Sequence, residues 1–246
     1  MKLKEQIQYQ VTQILTELRT NFRWDAFKRA IKDEEGLYYA QKHLKKLGEG
    51  SGRRVFLLSN RFVLKIAMNE KGWAQNQAEV DIYTNPHTKP IVAKIYDFDP
   101  HYNWLVSELV RPIANKKEFE KHFGVSDEYV DRVIELISYS HGDKSAAKEK
   151  AKKDIQRYSA KLEAMELRGE KYDLKRKEFF KEELKFTRDI LDAFDKPIVN
   201  AILYLQKEFE LVSADLTLHK HWGKTAEGRV VLLDYGYTKT VSYTYY

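Results

Sequence analysis

The stretch from Leu44 to Ala67 constrains the fold more than any other part of the chain. Leu44-Lys45-Lys46-Leu47-Gly48-Glu49-Gly50-Ser51-Gly52 leads into Arg53-Arg54-Val55-Phe56-Leu57-Leu58. A polar pair, Ser59-Asn60, then separates this run from Arg61-Phe62-Val63-Leu64-Lys65-Ile66-Ala67. Short apolar runs divided by a Gly-rich turn and a two-residue polar turn predict strand, turn, strand, tight turn, strand. Within the third run Lys65 is a lone charge. A lysine buried in such a strand needs a partner or a ligand, because unpaired burial of charge is costly.

The neighbouring segments extend this module. Residues 70–85, with Trp73, Glu79 and Tyr83, read as a helix broken at Thr84-Asn85-Pro86-His87, since proline disfavours helix in the residue before it. Ile91–Asp97 and Trp104–Val110 read as two more strands around the turn Asp99-Pro100-His101. Five strands with one inserted helix predict a small antiparallel sheet. Residues 1–44 read as helical. Val11, Leu15 and Leu18 are spaced for one helix face, followed by Phe22, Trp24 and Phe27, a pattern that packs against a core.

Residues 115–210 carry helix signals almost throughout. Phe123-Gly124-Val125-Ser126-Asp127 marks a helix stop and a new N-cap. Ile198, Ile202, Leu205 and Phe209 give an apolar face after Pro197. The block 141–190, broken at Gly142 and Gly169, is expected to form a pair of long antiparallel helices meeting near Gly169. From residue 211 strand signals return. Val230-Val231-Leu232-Leu233 ends in the acidic turn Asp234-Tyr235-Gly236, and the alternation from Thr238 to Tyr246 predicts a final strand.

Composition narrows the function classes. The 246 residues suit one domain, or one domain with an insertion. With no cysteine, disulfides, thiolate metal sites and a catalytic thiol are excluded. No apolar run approaches the ~20 residues of a membrane helix, and Met1-Lys2-Leu3-Lys4-Glu5-Gln6 does not read as a secretory signal. A cytoplasmic protein is expected. The net charge is +6, and residues 141–190 hold 15 Lys/Arg against 11 Asp/Glu, so most of the excess sits there. Such mixed-sign charge reads as solvated helix faces. A nucleic-acid partner is not expected, since that role calls for basic residues aligned with little acid between them. A protein partner docking on this charged block is the alternative role for it.

The order of polar residues then suggests a chemistry. A Gly-rich hairpin is followed by an in-strand Lys, a helix Glu, a further strand, a long helical region, an Asp, and a strand-terminal Asp-aromatic-Gly. Glycines let backbone amides approach phosphates. A lysine neutralises phosphate charge, and a carboxylate on a helix holds that lysine in place. One aspartate offers a hard oxygen ligand to Mg²⁺, and another can accept a proton from an attacking hydroxyl.

In these segments, roughly 47–112 and 211–240, the sequence resembles the protein-kinase-like superfamily, in particular short bacterial or phage kinases and small-molecule phosphotransferases. The resemblance implies an α+β, two-lobed fold. A small antiparallel-sheet N-lobe would cover 45–112, after an N-terminal helical segment at 1–44. A reduced helical C-lobe would cover 113–246 and include the charged insertion at about 141–190. It implies ATP as cofactor, covered by Gly48, Gly50, Ser51 and Gly52. Lys65, paired with Glu79, would hold the phosphates, and Glu108 and Val110 would meet the adenine through backbone groups. Asp215 would be the catalytic-loop aspartate. Asp234 would hold Mg²⁺, with His221 as its second ligand.

Departures from the family pattern accompany the matches. The last loop glycine of the pattern would fall on Arg53, whereas Gly52 stands one position early. Ser213-Ala214 replaces His-Arg before the aspartate, and Lys220 stands where the pattern has its metal-binding Asn. Tyr246 follows Asp234 by 12 residues, so the activation segment and peptide-docking helices of larger kinases are not expected. The reading is an ATP-dependent phosphotransferase acting on a protein or small-molecule hydroxyl. The alternatives are a catalytically inactive nucleotide- or partner-binding module, and transfer of AMP.

Overall fold

The computed structural model describes residues 22–167 and 174–245. Val11, Leu15, Leu18 and Gly169 lie outside the described residues. The fold is α+β and comprises two compact units. One runs up to Ile113 and takes in Lys207–Leu216 and the chain from Lys220 onward; the other is Ala114–Gln206 with Thr217–His219. Residues 207–216 and the chain from 220 onward thus fall in the same unit as the sheet.

The first unit opens with helices α1 (Trp24–Lys32) and α2 (Gly36–His43). Strands β1 (Lys45–Glu49), β2 (Arg53–Leu57) and β3 (Phe62–Ala67) follow, then helix α3 (Glu70–Thr84) and strands β4 (Ile95–Phe98) and β5 (Trp104–Glu108). The five strands form one antiparallel sheet in the order β1-β2-β3-β5-β4. β4 is shorter than the predicted 91–97 run. Its start is diverted because Val92 bridges to Leu232, and Ala93 donates its N–H to the Leu232 carbonyl.

Strand alternation sorts the side chains between two faces. Phe62, Leu64 and Ile66 of β3 share a core with Phe56, Trp104 and Val106, and with Trp24, Phe27 and Ala40 from the two leading helices. Trp24 meets Trp104 edge-on with ring centroids 4.9 Å apart. The helices ahead of the sheet therefore form its cover. Val63 and Lys65 point the other way, toward α3, where Val80, Ile95 and Leu105 make a second small core. The register Val55↔Lys65 and Lys65↔Leu105 fixes Lys65 in the middle of the sheet.

Strand β6 (Arg111–Pro112) pairs with β7 (Trp222–Lys224), which pairs with β8 (Val230–Leu232). Between the helical region and β7 lies a five-residue helix, Ser213–Thr217, and a 3-10 turn, His219–His221. Trp222 is buried and donates its indole N–H to the Leu216 carbonyl at 2.8 Å. The segment predicted as a last strand is instead a helix, Lys239–Tyr245. Thr238 Oγ accepts from the Val241 N–H, and Val241 is the buried apolar anchor of this helix. A cap together with one anchoring side chain outweighs the period-2 pattern here.

The second unit is helical: α4 (Lys116–Phe123), α5 (Asp127–Tyr139), α6 (Lys144–Leu167), α7 (Leu174–Ala193) and most of α8 (Pro197–Phe209). Asn115 and Ser126 cap α4 and α5, and Gly124 ends α4 at φ 64°. The charged block forms the long pair α6 and α7. Lys148 pairs with Asp195, Tyr158 lies against Phe180, and Glu166 pairs with Lys177, so the two helices run antiparallel. Ala147, Ala151 and Met165 face Phe180, Ile190 and Ala193 as the buried seam, and the charges face outward.

Candidate active site

A cavity of about 1170 Å³ lies within the first unit. Its walls include Gly48, Gly50, Ser51 and Gly52 of the β1–β2 turn, and Val55, Val63 and Lys65 of the sheet face. Glu108, Leu109 and Val110 follow β5, and Asp215, His221 and Asp234 complete the lining. Every residue that the sequence singled out reaches this cavity except Glu79, which sits behind Lys65.

The glycine turn is anchored to the start of α3. Gly50 donates its N–H to the Arg53 carbonyl, Asn69 Nδ2 donates to the Ser51 carbonyl, and Lys71 Nζ to Ser51 Oγ. Asn69 also caps α3 through the Gly72 N–H at 3.1 Å. A Cβ on Gly72 would collide with the Gly52 carbonyl, and one on Gly52 would come 2.8 Å from Gln75 Oε1. Gly52 and Gly72 are therefore required by the close approach of turn and helix. At Gly48 and Gly50 an added Cβ would meet nothing within 4 Å, so packing does not demand these two. An acidic residue, Glu49, lies between them. Arg54 neutralises it through two bonds of 2.8 Å, helped by Lys46 at 3.2 Å, and these hold the carboxyl down to about 2.

Lys65 is buried, and its ammonium donates to both Glu79 oxygens at 2.9 and 2.8 Å and to the Leu233 carbonyl at 3.1 Å. Glu79 is fully buried on α3. A second cation shares it. Arg53 Nη1 lies 2.8 Å from Glu79 Oε1, and Arg53 Nη2 donates to Asp234 Oδ1 at 2.7 Å. Burial works against the Arg53 charge, but Glu79 and Asp234 outweigh it and hold the guanidinium above its ordinary value. Asp234 opens onto the cavity. Its surroundings would push its carboxyl up, yet Arg53, then Lys65 and His221, pull it below the usual carboxylate range.

Asp215 lies on the short helix before β7. His221 Nδ1 donates to the Asp215 carbonyl at 2.7 Å and stands 3.7 Å from its carboxylate. A carbonyl can only accept, so Nδ1 carries a proton in this contact. Burial raises the Asp215 carboxyl above its ordinary range, and Asp234 adds to this against the pull of His221 and Lys220. The other histidine of the segment, His219, bonds Asp127 at 2.8 Å.

The Glu108 side chain turns to Arg229 at 2.8 Å and also accepts the Lys94 N–H at 3.2 Å. Its carboxylate is thus committed to fastening the β7–β8 hairpin to the strand end, and the Glu108 N–H is given to the Lys94 carbonyl.

The donors left at Asp234 fit Mg²⁺ poorly. That ion is held by one or two carboxylates, with waters and substrate phosphates completing a near-octahedral shell. Among the described residues no three His, Asp or Glu side chains converge as metal ligands. Asp234 is bonded to Arg53, Lys220 stands at the Asn position, and an imidazole such as His221 suits softer metals. From the sequence, Arg53 stands out only as the residue displacing a glycine. Its position at the head of an apolar strand run gives no signal that its side chain turns inward.

No protein-family model matches the sequence, and no curated protein matches it. Solved structures do. The streptomycin–ATP–APH(2″)-IIa ternary complex aligns at 13% identity and a TM-score of 0.27, over 36% of this chain and 29% of that one. ADP-bound aminoglycoside phosphotransferase APH(2″)-Ib aligns at 15% identity and a TM-score of 0.34, over 81% and 69%. The gentamicin–APH(2″)-IIa complex aligns at 13% and 0.34, over 88% and 70%. The present chain thus spans under a third of the first of these proteins. Its function has to be read from its own side chains.

Proposed function

We propose that the cavity binds ATP and that the protein transfers its γ-phosphate to an acceptor hydroxyl. The observation that carries this reading is the Lys65–Glu79 pair, placed by strand register on the wall of a cavity roofed by an open glycine turn. A buried ammonium held by a helix carboxylate and facing a cavity is a site for polyanionic phosphate.

Val55, Val63 and Val110 line the same cavity and give an apolar slot for the base. Gly48 and Gly50 lie where their backbone can approach the phosphates. In this reading Asp215, raised by burial, accepts the hydroxyl proton. With the acceptor oriented, bond formation from its oxygen to the γ-phosphorus accompanies loss of ADP.

The test pairs equilibrium binding with a labelling assay. Wild type is expected to bind ATP and to transfer label from the γ but not the α position. Asp215→Asn should keep binding and lose transfer by at least about 100-fold. Transfer of α-label would replace phosphate by AMP transfer, and full activity in Asp215→Asn would remove that residue from the mechanism.

A second reading, a nucleotide-binding module without transfer, is favoured by the Arg53–Asp234 pair and by Lys220 at the Asn position. ATP binding with no transfer to any offered hydroxyl, and none to water, would establish it.

A further inference from the structure

We infer that Arg53 takes the place of a divalent cation at Asp234, so that this cavity binds nucleotide phosphates without metal. The inference rests on the nucleotide reading above and states its ionic requirement.

Four charges at the centre of the site are matched. Lys65 and Arg53 are cations, Glu79 and Asp234 are anions, and their contacts of 2.7–2.9 Å close the set. Without Arg53 the pair Lys65–Glu79 would be balanced and Asp234 would carry an unmatched negative charge, the state that recruits a cation. Arg53 supplies that charge from the protein. Arg53 is 6% exposed, and its guanidinium is fixed on three sides: Nη1 to Glu79 and Asn76, Nη2 to Asp234. Asn76 is itself fully buried and donates to the Tyr102 carbonyl at 2.8 Å, so the cradle under the guanidinium is built rather than incidental.

Its backbone offers no easy exit. Arg53 heads β2 in register with Ala67, and its carbonyl accepts the Gly50 N–H that closes the glycine turn. An ion arriving at Asp234 has either to break the 2.7 Å bond, leaving Glu79 shared between two buried cations, or to sit on Oδ2 beside the fixed guanidinium. Taking a carboxylate from a buried guanidinium, or bringing a second cation against it, is unfavourable.

The test uses the full chain and two titrations. In the first, Mn²⁺ alone is titrated and followed by its paramagnetic signal. Wild type is expected to show no site, and Arg53→Met to gain one. A site in wild type overturns the inference whatever the variant does, and so does the absence of a site in a folded Arg53→Met. Should Arg53→Met fail to fold, Arg53→Gln, which keeps a donor to Glu79, takes its place.

In the second, ATP is titrated with Mg²⁺ and with a chelator. Wild-type affinity is expected to agree within about threefold, and the variant's to improve about tenfold or more with Mg²⁺. Wild-type binding that needs Mg²⁺ overturns the inference while keeping the nucleotide reading. No ATP binding under either condition removes the nucleotide reading, and the Mn²⁺ result then decides the role of Arg53 by itself.

Discussion

Arg53 and Asp234 are 181 residues apart in sequence and 2.7 Å apart in space. Their contact joins the first residue of β2 to the end of the strand that closes the cavity, and through Glu79 it extends to Lys65 and α3. The four side chains form one ionic network rather than two separate pairs. Since Glu79 is the carboxylate that touches both cations, it is the member whose loss matters most.

That makes a stability prediction with an internal control. Glu79→Gln leaves Lys65 and Arg53 buried with a single carboxylate between them. Removing one partner from a buried ion pair costs about 3–5 kcal/mol, and in a chain of this size each kcal/mol lowers Tm by roughly 2–4 °C. Lys65→Met should cost clearly less, because Arg53 still balances Glu79. Thermal unfolding of the two variants checks this. Equal losses would mean that Arg53 and Lys65 do not share Glu79 in solution.

The glycines divide into those the fold needs and those it does not. Gly72→Ala drives a methyl group into the Gly52 carbonyl, which is backbone and cannot turn aside. A cost of about 1–3 kcal/mol is expected, with a displaced turn and weaker nucleotide binding. Gly50→Ala meets open space and should leave stability within ~0.5 kcal/mol. If its added methyl stands where phosphates lie, binding of ATP drops while Tm does not. Urea unfolding and an ATP titration of both variants are sufficient, and a destabilised Gly50→Ala would contradict the open turn.

How far the sequence foretold this site depends on the range of the interaction. The five strands, the inserted helix and the inward Lys65 were legible because period and turn chemistry are local. The pairing of Lys65 with Glu79 followed from helix placement and the family resemblance. Arg53 was not legible, since its partners Glu79 and Asp234 lie far along the chain and a leading strand arginine normally faces water. The same holds for Arg229, whose partner Glu108 is 121 residues away. At Lys239–Tyr245 the alternation was real but short, and the cap at Thr238 decided for helix.

The Glu108–Arg229 contact yields a coupling that can be measured. Glu108 is buried and Arg229 is part-exposed, so Arg229→Met removes the cation from a buried carboxylate that keeps the Lys94 N–H. A loss of about 1–3 kcal/mol is expected. Replacing Glu108 by Leu in the same chain should cost less than the sum of the single changes, by ~1 kcal/mol or more. Additive effects would show that the hairpin is held to β5 by other contacts.

Glu49 gives the pH dependence its clearest handle. Its bonds to Arg54 and Lys46 hold the folded-state carboxyl down to about 2, against an ordinary value of 4.5. A depressed carboxyl favours the folded state when ionised. Its contribution is therefore complete above 4.5 and is lost as pH falls through about 2. Carboxyl NMR of Glu49 should show this low titration, and Arg54→Ala should return it toward 4.5. The same substitution unmasks a negative charge between Gly48 and Gly50, so ATP binding at neutral pH should weaken. Adding Glu49→Gln to Arg54→Ala removes that charge and should restore binding. Weakened binding that persists in the double variant would instead make Arg54 a direct phosphate contact.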